Sequence, residues 1–169
     1  MTSLTQPLRD EHKELYPHIE TLRQAADAVN ESLTSLAHAK IEQAYNFLTH
    51  HLIPNAQAED KALYPMVQKC MGASQATATM SRDHVEVGRL TEELGTLRVH
   101  HTQLSITFDH ARALRRVLYG LYALVKLHFA KEEEIYLPLL DAKLTAEEAR
   151  KMFEDMEAAA GEAKSKLPR

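Results

Sequence analysis

The chain of 169 residues has no tryptophan, one cysteine, five glycines and six prolines. A single thiol cannot close an internal disulfide, which excludes a disulfide-held secreted scaffold and points to a reducing compartment. No run of about 18 apolar residues occurs, so no membrane span is expected. The opening MTSLTQPLRDEHKEL holds no apolar stretch of signal-peptide length. An excess of basic residues is missing as well. Twenty Lys and Arg stand against 24 Asp and Glu, net −4, which leaves no electrostatic footprint for nucleic acid. With 44% hydrophobic residues the length suits one domain with a substantial core, and the expected location is cytoplasmic. What the chain has in abundance is histidine, ten in all.

Scarce glycine and plentiful Ala, Leu, Glu, Lys and Gln make a helix composition. Apolar positions recur at steps of three and four in four stretches: Leu8 to Val29, Ile41 to Met66, Met80 to Leu94, and Leu114 to Leu139. Such seams face the inside of a bundle. Breaks are expected at Asn30–Thr34, at Cys70–Thr79 and from about Gly95 to Ser105, with Pro65 and Pro138 ending their helices. Thr145 with Glu148 forms a capping box for a short fifth helix. Its Ala149, Met152, Phe153 and Met156 would pack on the outside of the bundle, and Gly161 would stop it. The expected architecture is all-α. Residues 1–144 form an up-down-up-down four-helix bundle of two repeated hairpins, and a C-terminal helix and tail over 145–169 pack on the same domain.

Six polar residues interrupt the seams: His12, Asn55, Glu59, His84, His128 and Glu132. A buried, unpaired carboxylate costs several kcal/mol or takes up a proton, so this group calls for a shared partner. A shift of 73 residues lays Asn55 on His128, Glu59 on Glu132 and Pro65 on Pro138, and a shift of 72 lays His12 on His84. Each hairpin therefore offers a histidine from its first helix and an i, i+4 pair ending in Glu from its second. Residues four apart share a helix face. Two hairpins related by a two-fold axis bring two such half-sites together. Mixed imidazole and carboxylate suits iron better than a structural zinc site, which favours a closed, thiolate-rich tetrahedron.

The run His12, Asn55-Ala56-Gln57-Ala58-Glu59, Tyr64-Pro65, Asp83-His84 and His128-Phe129-Ala130-Lys131-Glu132, closing at Pro138, resembles the hemerythrin-like HHE cation-binding domain. The resemblance covers Pro7 to about Leu140. It implies a four-helix bundle around an oxo- or hydroxo-bridged non-heme di-iron centre, with terminal histidines and bridging carboxylates. Carried over by position, the implied ligands are His12, Glu59, His84, His128 and Glu132. The chain departs from the pattern at Asn55, where the family has histidine. Three substitutes are open: water or an exogenous ligand, His51 one turn earlier beside Pro54, or Tyr45 on the same seam.

The other histidines read as surface or supporting groups, Asp60, Glu133 and Glu134 as surface, and Tyr16 as core. No Glu is followed by His three residues later, which excludes the ligand pattern of ferritin-like carboxylate proteins. The function implied is binding of dioxygen or nitric oxide, or iron and redox sensing or storage. The alternative is an enzyme that turns over peroxide or reduces dioxygen or nitric oxide. The expected partners are a small diatomic or peroxide ligand and an electron-donor protein, with neither nucleic acid nor membrane.

Overall fold

Each expected seam folds as a helix in the computed structural model, which describes residues 3–30, 34–99 and 106–166. The first arm is α1 (Gln6–Ala28). The second is one rod made of α2 (Ser35–Phe47), α3 (Ile53–Ala58) and α4 (Tyr64–Met71), joined by wide turns at Leu48–Leu52 and Glu59–Leu63. The third is α5 (Ala78–Val99). The fourth joins α6 (Phe108–Lys131) to α7 (Leu137–Lys143) through a wide turn at Glu132–Tyr136. The first arm packs on α2 and α6, and α5 packs on α6 and α2, closing an all-α four-helix bundle. A last helix, α8 (Ala146–Ser165), lies across α3 and the Glu59–Leu63 turn. No helix of the described residues is long and apolar enough to cross a membrane.

The helix ends follow from local chemistry. Thr34 and Thr107 accept hydrogen bonds from the Ala37 and His110 amides, and the Thr145–Glu148 capping box is complete. Gly72 closes α4 at φ 65°, a left-handed conformation that costs glycine nothing. Two glycines expected to break helices lie inside them instead. A Cβ on Gly95 would stand 3.1 Å from the Tyr45 ring, so glycine serves close packing there and α5 runs on. Gly161 sits inside α8 because Ala159 and Ala163 continue the buried face on either side of it. The expected break after Gly95 otherwise falls largely outside the described residues, as do His100 and His101.

Pro65 and Pro138 do not end their helices either. Proline lacks the N–H and its ring collides with the carbonyl four residues back. Each turn is widened by one residue, so that the amide before the proline reaches the carbonyl five back: Tyr64 to Glu59, and Leu137 to Glu132. Ile53 and Leu48, before Pro54, repeat the device.

One polar layer divides the core in two. On α1, His12 separates buried Leu8 from Ile19, and on the second rod Asn55 and Glu59 separate Leu52 from Leu63. On α5, His84 lies between Met80 and Val87, and on the fourth arm His128 and Glu132 lie between Val125 and Leu137. The second apolar half is completed by α8, through Ala149, Met152 and Met156.

Candidate metal centre

The polar layer brings together all five residues expected as ligands. Glu59, His84 and His128 form one group, and His12, Glu59 and Glu132 a second; within each group the donor atoms lie within 4.8 Å of one another. Glu59 belongs to both. His12, Glu59, His128 and Glu132 are buried. Glu59 Oε2 is 3.1 Å from His84 Nε2 and 3.8 Å from His128 Nε2, and the two Nε2 atoms are 3.0 Å apart. Across the layer, His12 Nε2 stands 3.3 Å from Glu132 Oε2. Those two atoms are buried without a hydrogen-bond partner. An unpartnered imidazole nitrogen beside an unpartnered carboxylate oxygen is the donor set a cation would satisfy, so the residues present fit a metal pair.

Every one of the three histidines is tied at its other nitrogen to a carboxylate. His12 Nδ1 donates to Glu133 at 2.8 Å, His84 Nδ1 to Asp60 at 2.9 Å and His128 Nδ1 to Asp83 at 3.1 Å. This is how proteins fix the tautomer of metal-ligating imidazoles and leave Nε2 free to bind. Asp60 and Glu133, read from the sequence as surface, are therefore supports of the site. The α-helical seam misplaced them because each reaches sideways to a neighbouring helix. The repeat carries the signal, since Asp60 and Glu133 are 73 residues apart and each follows a glutamate of the centre. Arg9 pairs with Glu133 and Lys131 with Asp83, which leaves the five carboxylates in excess over basic side chains.

That excess shapes the protonation of the metal-free site. Burial disfavours the charged form of His128, but hydrogen bonds and charge from Glu132 and Glu59 outweigh it and raise its pKa to about 10. His84 is raised to about 9 against the same burial, by Asp60 and Glu59, and His12 is raised beside Glu132 and Glu59. Burial pushes Glu132 up, yet His12 and His128 hold it well below the usual carboxylate range. In place of a proton shared between two carboxylates, the metal-free protein neutralises Glu132 with imidazolium groups.

The substitutes for residue 55 are placed differently. Asn55 is in the layer, its amide nitrogen donating to Glu59 Oε1 at 2.7 Å. His51 is exposed and stacks parallel to His18 and Phe47, outside the cluster. Tyr45 lies against Gly95 with the Arg98 guanidinium 4.0 Å over its ring, again outside the cluster. Helix periodicity near Pro54 left both positions open; the wide turn at Leu48–Leu52 directs His51 outward. Tyr16, expected in the core, is instead exposed, with a ring-edge contact to Phe129, and Phe129 stacks on His12 at 4.4 Å.

The residue to which the sequence assigned no role in the site is Tyr64. It is buried, and its hydroxyl donates to Glu132 Oε1 at 2.9 Å while lying 3.1 Å from His128 Nε2 and 3.3 Å from His84 Nε2. Burial first, then Glu59 and Glu132, push its phenol far above the ordinary value. In an α-helix a residue five beyond Glu59 points about 140° away from it. The wide turn at Glu59–Leu63 removes that divergence and turns Tyr64 inward.

A helical bundle whose core is interrupted by paired histidine and glutamate half-sites defines a cation-binding class of protein. The family model of the hemerythrin HHE cation-binding domain matches residues 3–140, and the chain belongs to that family. Comparison with curated proteins and with solved structures returns no match.

Proposed function

We propose that the protein holds two iron ions in the polar layer and takes a small diatomic or peroxide ligand beside them. The single observation that supports this best is the sharing of Glu59 between two donor groups whose three histidines are each backed by a carboxylate. In this reading His84 and His128 would hold one ion and His12 the other, with the Glu59 and Glu132 carboxylates available to both. Bound iron would supply electron exchange with the small ligand. The chain supplies the surroundings. A cavity of about 10 Å³, lined by Leu52, Val87, Val125 and Phe129, opens between Asn55, Glu59, His84 and His128. That volume is at the lower limit for one water, so a ligand enters by displacing apolar side chains and meets little solvent there.

Binding, sensing or storage is the reading the apolar lining favours, because Leu52, Val87, Val125 and Phe129 have no proton to give a bound ligand. The enzyme reading draws on Asn55: a residue that holds Glu59 with its amide nitrogen leaves the His12 half-site one strong donor short. Iron-loaded protein should contain about two irons per chain and show the optical and Mössbauer signature of a bridged ferric pair. One zinc, or no metal after loading, overturns the proposal. Mixing with hydrogen peroxide separates the two readings: repeated turnover of excess peroxide supports the enzyme, and a single spectral change without turnover supports binding.

A further inference from the structure

The Tyr64 hydroxyl occupies a place in the centre that a hydrogen bond to Glu132 does not account for. A phenol has one proton to donate, and that proton goes to Glu132. His84 Nε2 and His128 Nε2 nevertheless converge on the same oxygen at 3.3 and 3.1 Å, and on each other at 3.0 Å. Both imidazoles already use Nδ1–H on Asp60 and Asp83. As neutral rings they therefore aim two lone pairs and the phenol oxygen at one point. Donor atoms about 2.0–2.2 Å from one cation, at right angles, stand about 3.0 Å apart. Tyr64 Oη, His84 Nε2 and His128 Nε2 match that spacing, and Glu59 Oε2 joins them 3.1 Å from His84.

We infer that Tyr64 is a fourth protein ligand, a phenolate oxygen, of the ion held by Glu59, His84 and His128. The inference rests on the iron reading above. When iron binds, the phenol O–H bond breaks, the proton leaves to solvent and an oxygen lone pair binds the ion, with no change in electron count. A hard, anionic oxygen suits ferric iron. The second half of the repeat lacks this group, because the residue 73 positions beyond Tyr64 is the buried Leu137. The two ions are thus inequivalent: one has two imidazoles and a phenolate, the other one imidazole. The chain adds a donor on one side of the two-fold and loses one, at Asn55, on the other.

The test compares ferric-loaded protein with Tyr64→Phe and with Tyr136→Phe, whose hydroxyl donates to the Ala76 carbonyl away from the centre. Iron content and the visible spectrum are read together, with resonance Raman excitation in any visible band. The expected result is a phenolate-to-iron charge-transfer band in the parent and in Tyr136→Phe, lost in Tyr64→Phe although iron stays bound. Iron bound by the parent without a phenolate band, or a band that survives Tyr64→Phe, overturns the ligand and leaves the iron reading standing. No iron in the parent overturns both. If Tyr64→Phe does not fold, the parent is titrated with Ga(III), which is redox-silent. Growth of one tyrosinate equivalent in the near-ultraviolet difference spectrum supports the inference, and binding without that growth sinks it.

Discussion

His84 and His128 turn their Nε2 atoms toward one another at 3.0 Å, while a carboxylate holds each ring from behind. Two imidazoles keep that separation only with protons or a cation between them. Because both pKa values are raised, to about 9 and about 10, the metal-free site carries those protons at neutral pH. Metal must displace them, so binding releases protons and weakens as pH falls. Calorimetry of metal binding near pH 7 in two buffers of different ionisation enthalpy should give different apparent heats. Equal heats would show that no proton is lost.

The stability of the metal-free protein should depend on pH from both sides. His128 has a folded value of about 10 against an ordinary 6.5, so its contribution is whole below about pH 6.5 and is lost as pH rises through about 10. Glu132 is held below its ordinary 4.5, so its contribution is whole above about pH 4.5 and disappears as acid protonates it in the fold. The melting temperature of the metal-free form should therefore peak between about pH 4.5 and 6.5. Melts at intervals across the acid and alkaline limbs check this. A curve flat above pH 6.5 would contradict the alkaline limb.

Removing the outer carboxylates should weaken metal binding without touching a ligand. Asp83→Asn and Asp60→Asn leave His128 and His84 in place but disturb their tautomer and tilt. Losses of about 10–100-fold in metal affinity are expected, with the far-ultraviolet circular dichroism unchanged. Affinity equal to the parent's would mean the carboxylates serve the surface alone.

Glu59 is common to both donor groups, whereas His12 belongs to one. Glu59→Ala should abolish binding of the pair. His12→Ala should spare the ion on the His84 side and lower the iron content from about two per chain toward one. Full loading of Glu59→Ala, measured by plasma emission, would remove Glu59 from its bridging place.

Asn55→His should raise iron retention during dialysis against chelator and slow reaction with peroxide, since it supplies the His12 half-site with a second imidazole. The neighbourhood suits the change. Glu11 lies 72 residues before Asp83, the carboxylate that holds His128, and Glu11 and Asn55 line the same surface pocket. His51→Ala should be nearly silent in both the parent and Asn55→His backgrounds, because His51 packs on His18 and Phe47. A marked loss of iron in His51→Ala would mean that this ring moves to the metal.

The bundle was legible because burial imposes a spacing of three and four on any helix that must cover a core, and His12, Glu59, His84, His128 and Glu132 violate that pattern in phase with it. Chemistry perpendicular to the seam was not legible. Asp60 and Glu133 leave their own helix face to reach a histidine on another, so no periodicity within one helix points to them. Tyr64 escaped for a different reason: it is out of phase by α-helical counting, and only the widened turn restores it. Pro54, Pro65 and Pro138 were visible as disturbances, but proline in a sequence announces a conflict without saying whether the chain will stop, kink or widen.

Each wide turn is a surplus residue in an otherwise α-helical rod, and a surplus can be taken away. Deleting one residue within Glu59–Leu63 would let the rod close as ordinary helix with Tyr64 four places beyond Glu59, about 40° from its heading and still on the same face. Straightening the turn with the residue kept would instead rotate everything beyond it by about 100°, so that Tyr64 would swing from the polar layer toward the outside and Val67 would leave its place in the core. The centre is thus assembled by angular offset as much as by spacing. On this rod the Glu59 carboxylate is set by the helix before the turn, and the aromatic beside it by one extra peptide unit.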